Sequence, residues 1–158
     1  AVNKAYQNWL SEVTIKYSYK NNLNILKKTY SFIFLIILFI ISLMLISEDI
    51  IEFFFSGVYI EAAKIAYIIV LGIGFSYGYL IFIQYVYLFG NTKNISILTI
   101  TCFVISVLIN IIFIPKYGFN AAAYTFAFSQ LFLFLGSVYL AVKARKMPWF
   151  EFKLMFTK

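Results

Sequence analysis

The sequence predicts an all-α, polytopic transmembrane bundle: four membrane-spanning helices, an N-terminal cytoplasmic or interfacial helix and a short amphipathic tail. Three observations carry this. Of 158 residues, 63% are hydrophobic and 12% charged, against about 45–50% and about 25% in a soluble domain. The mean hydropathy is +0.91. The apolar residues are gathered into four long runs, each able to cover about 30 Å of hydrocarbon, which takes about 20 residues in a helix. So little charge cannot coat a soluble globule, and a disordered chain would have the opposite composition.

The first span is expected over 30–47, around Ser31-Phe-Ile-Phe-Leu-Ile-Ile-Leu-Phe-Ile-Ile. The second is expected over 62–89, the third over 95–114 and the fourth over 121–142. No Asp, Glu, Lys or Arg lies deep inside any of them, and Lys64 stands near the start of the second. A transmembrane barrel needs strands of about ten residues with strict alternation. These runs are continuous and twice that long, so helices fit and strands do not.

Residues 1–29 form an amphipathic head. Tyr6, Trp9, Leu10, Val13 and Tyr17 recur at steps of three and four, with Lys4, Gln7, Asn8, Ser11, Glu12 and Lys16 on the other side. Two readings stand: an interfacial helix, or the cytosolic end of an earlier span plus loop. No secretory signal peptide is seen, because no short apolar region follows a basic start. Residues 143–158 form a basic tail. Pro148 suits a first helical position, with Trp149, Phe152 and Phe156 expected at lipid headgroups and Lys153 and Lys158 near anionic lipid.

Charge sets the orientation. The head, the loop holding Lys93 and the tail share one side and carry eleven of the thirteen basic residues. The other side carries Lys64 and Lys116, with Glu48, Asp49, Glu52 and Glu61. Lys and Arg near span ends mark the cytoplasmic face, so both chain ends are expected there. The net charge of +7 thus speaks for topology rather than for nucleic acid, which is not an expected partner.

Within lipid, helices associate through small residues and polar contacts. Gly74 and Gly78 form a GxxxG pair in the second span, with Gly72 and Ser76 nearby. Ser106 and Asn110 share helical spacing in the third span, and Thr125, Ser129 and Gly136 share a face of the fourth. Gln84, Asn110 and Gln130 each either line a polar cavity or bond a neighbouring helix. Histidine is absent and Cys102 is the single cysteine, which removes disulfide frameworks and His-based catalysis together. No phosphate-cradling glycine loop occurs. Neither an enzyme nor a cofactor or metal site is expected.

The third hairpin reads Asn110-Ile-Ile-Phe-Ile-Pro115-Lys116-Tyr117-Gly118-Phe119-Asn120-Ala121-Ala122-Ala123. Pro115 and Gly118 are expected to make the turn. This stretch resembles a signature of polysaccharide-biosynthesis flippases of the Wzx/PST type, in the MOP superfamily with the MATE exporters: an Asn five residues before a Pro, then Tyr-Gly, then Gly-Ala-Ala. Similar pieces are Tyr59-x-Glu61-Ala62-x-x-Ile65, Gly90-Asn91-Thr92-Lys93 and Ala5-Tyr6-x-x-Trp9-Leu10. Ala121 stands where the family has Gly, Phe126 where a small residue is common, and Asn8 where Pro is frequent.

The resemblance implies a fragment of the second lobe of a flippase, the last four of twelve spans, moving an undecaprenyl-linked oligosaccharide across a bacterial inner membrane for surface polysaccharides such as O-antigen. It implies the bilayer, the lipid-linked oligosaccharide and the missing N-terminal lobe as partners, with a polysaccharide polymerase as a further one. Ser76, Gln84, Asn110 and Gln130 are then the candidate cavity or inter-helix contacts, and a charge clamp for pyrophosphate is expected outside this chain. An ion-coupled MATE-like exporter would favour an acidic residue inside a span. A non-transporting anchor of a glycan-assembly complex is the third reading.

Overall fold

A computed structural model describes residues 2–14, 19–55, 60–145 and 147–149, and these are almost entirely helical. The helices are α1 (Val2–Thr14), α2 (Tyr19–Phe55), α3 (Ile60–Phe89), α4 (Thr92–Tyr117) and α5 (Phe119–Ala144). α2 to α5 are each long and apolar enough to cross a membrane, over Asn22–Phe54, Ile65–Phe89, Thr92–Tyr117 and Phe119–Ala144. In hydrocarbon every backbone N–H and C=O must be paired within the protein, and a continuous helix does this over its whole length.

The helices run beyond the apolar runs. α2 begins at Tyr19 and ends at Phe55, where hydropathy places a span over 30–47. Lys20, Lys27 and Lys28 at one end and Glu48, Asp49 and Glu52 at the other interrupt the hydropathy but not the helix. The second half of the amphipathic head is therefore the first turns of α2.

The connections are short. α4 is capped by Asn91, whose side chain accepts from the Lys93 amide at 2.9 Å, an ordinary N-cap. α4 and α5 are separated by Gly118 alone. Its φ of 62° and ψ of −148° lie in a region open essentially to glycine, and its amide donates to the Ile114 carbonyl at 2.8 Å. Pro115 lies inside the last turn of α4, not in the turn expected of it. The reversal falls on Gly118, whose positive φ turns the chain while its amide still pairs the Ile114 carbonyl; Pro115 forfeits only the helical bond to the Ile111 carbonyl and does not end the helix.

α5 wedges between α3 and α4, so the spatial order is α2, α3, α5, α4. α3 and α5 run parallel and form the most extensive contact, while α3 and α4, neighbours in sequence, barely touch. A Cβ on Gly72 would lie 3.1 Å from the Ala127 Cα, so α3 and α5 meet there almost backbone to backbone.

The buried core sits at one end of this layer. Tyr6 and Leu10 of α1, Ile25 and Leu26 of α2, Ile81, Phe82, Ile83, Tyr85 and Val86 of α3, Ile95 of α4, Ala141 of α5 and Trp149 form it. α1 covers this end with its apolar stripe turned into the protein. Elsewhere large apolar side chains face outward, among them Phe34, Leu45, Phe53, Ile100, Phe103 and Ile111. Soluble proteins rarely expose such continuous patches. The chain is a membrane-embedded protein.

Candidate functional site

The polar residues singled out in the spans are spread along the layer. Ser76 on α3 and Gln130 on α5 are half-buried. Gly72 lies against Ala127 and Gly78 against Phe134, so on these parallel helices Ser76 and Gln130 share a level. Gln84 is eight residues further along α3, about 12 Å of helix rise away, and is buried at the core end. Asn110 is displaced the other way, one turn beyond Ser106 on α4. Its side-chain Oδ1 is buried and has no hydrogen-bond partner among the described residues. The four do not converge on one point.

Gly74 and Gly78 open onto a groove between α2 and α3 lined by Ile33, Ile37, Ile40, Met44 and Phe75, with Phe134 of α5 at its edge. A Cβ on Gly74 would meet Ile40 of α2 at 3.2 Å, and one on Gly78 would meet Phe134 of α5 at 2.7 Å. The pair thus receives side chains from two helices rather than the backbone of one. Contact with another helix's backbone falls two residues before Gly74, at Gly72, against the Ala127 Cα.

α4 and α5 are joined by a seam of small polar groups. The Ser106 and Ser129 hydroxyls are 2.6 Å apart, Ser106 also donates to the Cys102 carbonyl at 2.7 Å, and Ser129 donates to the Thr125 carbonyl at 2.6 Å. The Cys102 thiol donates to the Ser129 carbonyl at 3.4 Å. Each hydroxyl has one proton, so whichever serine donates across the seam gives up its bond to its own helix's carbonyl. The seam holds helices together and leaves no free nucleophile.

The densest polar cluster lies at the core end, on residues that spacing alone does not reveal. Thr29 donates to the Ile25 carbonyl at 2.8 Å. Its oxygen lies 2.6 Å from the Tyr85 hydroxyl and 2.9 Å from the Tyr6 hydroxyl, and the two tyrosine hydroxyls are 3.2 Å apart. One threonine thus ties α1, α2 and α3 together. Burial pushes the Tyr6 phenol above its ordinary value, and its hydrogen bonds to Thr29 and Tyr85 offset only part of that.

Next to it, Arg145 is buried just past the end of α5, donates to the Asn22 side chain at 2.9 Å and stands 4.3 Å from the centre of the Phe89 ring. Trp149 is buried against Phe82 and Tyr85, its indole donates to the Arg145 carbonyl at 3.0 Å, and its own carbonyl accepts from Tyr30 at 2.5 Å. This corrects the expectation that Trp149 faces lipid headgroups: the chain folds back after α5 and plugs the core. Pro148 lies outside any helix. The rest of the expected tail, from residue 150, lies outside the described residues.

The cluster was hidden because tyrosines in an apolar run look like lipid-facing aromatics, and Arg145 looks like one more basic residue after a span. The one available signal is Tyr6, which lies on the apolar stripe of α1.

No family model, curated protein or solved structure matches the chain. What the site does is read from its own groups. Among the described residues no three His, Cys, Asp or Glu side chains gather as metal ligands. The arrangement provides a core end tied by hydrogen bonds and a middle level at which Ser76 and Gln130 are half-buried.

Proposed function

We propose that the chain is part of the C-terminal lobe of a flippase that carries an undecaprenyl-linked oligosaccharide from the cytoplasmic to the outer leaflet of a bacterial inner membrane. The observation that carries this reading is the hairpin from Asn110 to Ala123, with its resemblance to the Wzx/PST signature. The open order α2, α3, α5, α4 supports it. Such a layer leaves broad faces free for the remaining spans of a lobe, as a closed four-helix bundle would not. In this reading both ends of the chain are cytoplasmic, and the headgroup passes between two lobes that rock about their interface. Ser76 and Gln130 at mid-level contribute polar contacts, and the core end moves as one rigid block. The pyrophosphate clamp belongs to the other spans, and a polysaccharide polymerase receives the product.

Disruption of the coding sequence in its host tests the reading. Lipid-linked oligosaccharide then accumulates on the cytoplasmic leaflet and surface glycan falls. Unchanged surface glycan with no accumulation would rule the reading out.

A further inference from the structure

A groove runs between α4 and α5 at the basic end. Its mouth, of about 370 Å³, is bordered by Asn91, Asn94 and Lys143 over an apolar base that includes Val86 and Leu140. It continues into a second stretch of about 360 Å³ lined by Ile97, Leu98, Phe132 and Tyr139. The two share Asn94, Leu140 and Lys143, so one groove is cationic and polar at its mouth and mainly apolar below. From Lys143 to Phe132 is eleven residues of α5, about 16 Å of rise, close to one leaflet's half of a hydrocarbon core about 30 Å thick.

Basic side chains outnumber acidic ones at this end, where α1 carries exposed Glu12. Lys143 is exposed in the last turn of α5 and Lys93 is exposed in the first turn of α4. Glu48, Asp49 and Glu52 lie at the far end of α2. A cationic mouth above a one-leaflet apolar groove is complementary to an anionic phospholipid, phosphate at Lys143 and one acyl chain along Ile97 and Phe132. We infer that this groove holds an anionic phospholipid of the leaflet at the basic end. The inference does not rest on the flippase reading.

The test is native mass spectrometry of the full chain released from detergent with phosphatidylglycerol, phosphatidylcholine or undecaprenyl pyrophosphate. Phosphatidylglycerol is retained in preference. Lys143→Gln lowers its retention roughly five-fold, the size of one lysine's attraction to an anionic lipid surface. Lys143→Arg keeps it, and Ile97→Trp, which fills the groove from an exposed position, lowers it. Lys27→Gln, the same charge change at the same end outside the groove, leaves it unchanged. Equal retention of the two lipids, equal losses in Lys27→Gln and Lys143→Gln, or a preference for undecaprenyl pyrophosphate over phosphatidylglycerol would overturn the assignment. Circular dichroism confirms that each variant remains helical.

Discussion

The Thr29 hydroxyl of α2 lies 2.6 Å from the Tyr85 hydroxyl of α3 while donating its own proton to the Ile25 carbonyl. Thr29 is therefore an acceptor in this contact, and Tyr85 the donor. Tyr6, at 2.9 Å, uses the same oxygen. Replacing the threonine removes the shared acceptor and leaves the two phenols only each other, at 3.2 Å, so one proton loses its partner, whereas replacing either tyrosine removes one donor and leaves the other served. Thr29→Val is expected to cost about 1–3 kcal/mol, the penalty for leaving buried donors unmade, and Tyr6→Phe distinctly less. Reversible unfolding in detergent measures both. Equal costs would mean that Thr29 does not organise the cluster.

The same cluster gives a pH dependence with a fixed sign. The folded chain holds the Tyr6 proton more tightly than the unfolded chain, because burial disfavours the phenolate. Its contribution is intact below the ordinary tyrosine value of about 10 and is lost as pH rises through the raised folded value. Stability should thus be insensitive to Tyr6 across the neutral range and decline in alkali, with a smaller alkaline decline in Tyr6→Phe. A decline in Tyr6→Phe as large as in the parent chain would show that Tyr6 is not the titrating group.

Gly72 and Gly74 separate backbone crowding from side-chain crowding. An added methyl at Gly72 meets Phe126 at 2.7 Å and the Ala127 Cα at 3.1 Å, while at Gly74 its nearest neighbour is the Ile40 side chain, at 3.2 Å. A side chain gives way by rotation and a backbone does not. Gly72→Ala is expected to destabilise by about 1–3 kcal/mol, the usual scale of overpacking, and Gly74→Ala by less. The unfolding midpoints of the two variants decide the order.

Arg145→Lys tests whether the guanidinium matters as a shape or only as a charge. The planar group donates to Asn22 at 2.9 Å and stacks over Phe89 at 4.3 Å. A lysine ammonium is a compact point charge that cannot do both in the same geometry. A loss of about 1–3 kcal/mol is expected, on the scale of a hydrogen bond to a charged group. A neutral outcome in the same unfolding assay would reduce Arg145 to a solvated end charge.

These residues show what hydropathy carries and what it does not. The four spans are legible because each apolar run is long enough to force a helix in lipid. Their edges are less so: Lys27, Lys28, Glu48 and Asp49 break the apolar run, yet the helix continues through them because interfacial charges still accept helical backbone. Neighbour order is not legible at all. Nothing local says that α5 lies between α3 and α4, which depends on Gly72 meeting Ala127 across more than fifty residues of chain. The same holds at the core end, where Thr29, Tyr85 and Arg145 gain their meaning from partners distant in sequence. Gly118 was readable as a turn residue, whereas Pro115, expected in the same turn, lies in the last turn of α4.

The arrangement of four crossings with the lysine-rich ends on one side is tested most directly by labelling single cysteines, in a Cys102→Ser background, with a membrane-impermeant maleimide on intact cells. Asp49→Cys, at the far end of α2, should react from outside, and Lys93→Cys, at the start of α4, only after the membrane is opened. Labelling of both from the same side, or of Lys93→Cys alone in intact cells, would contradict the account.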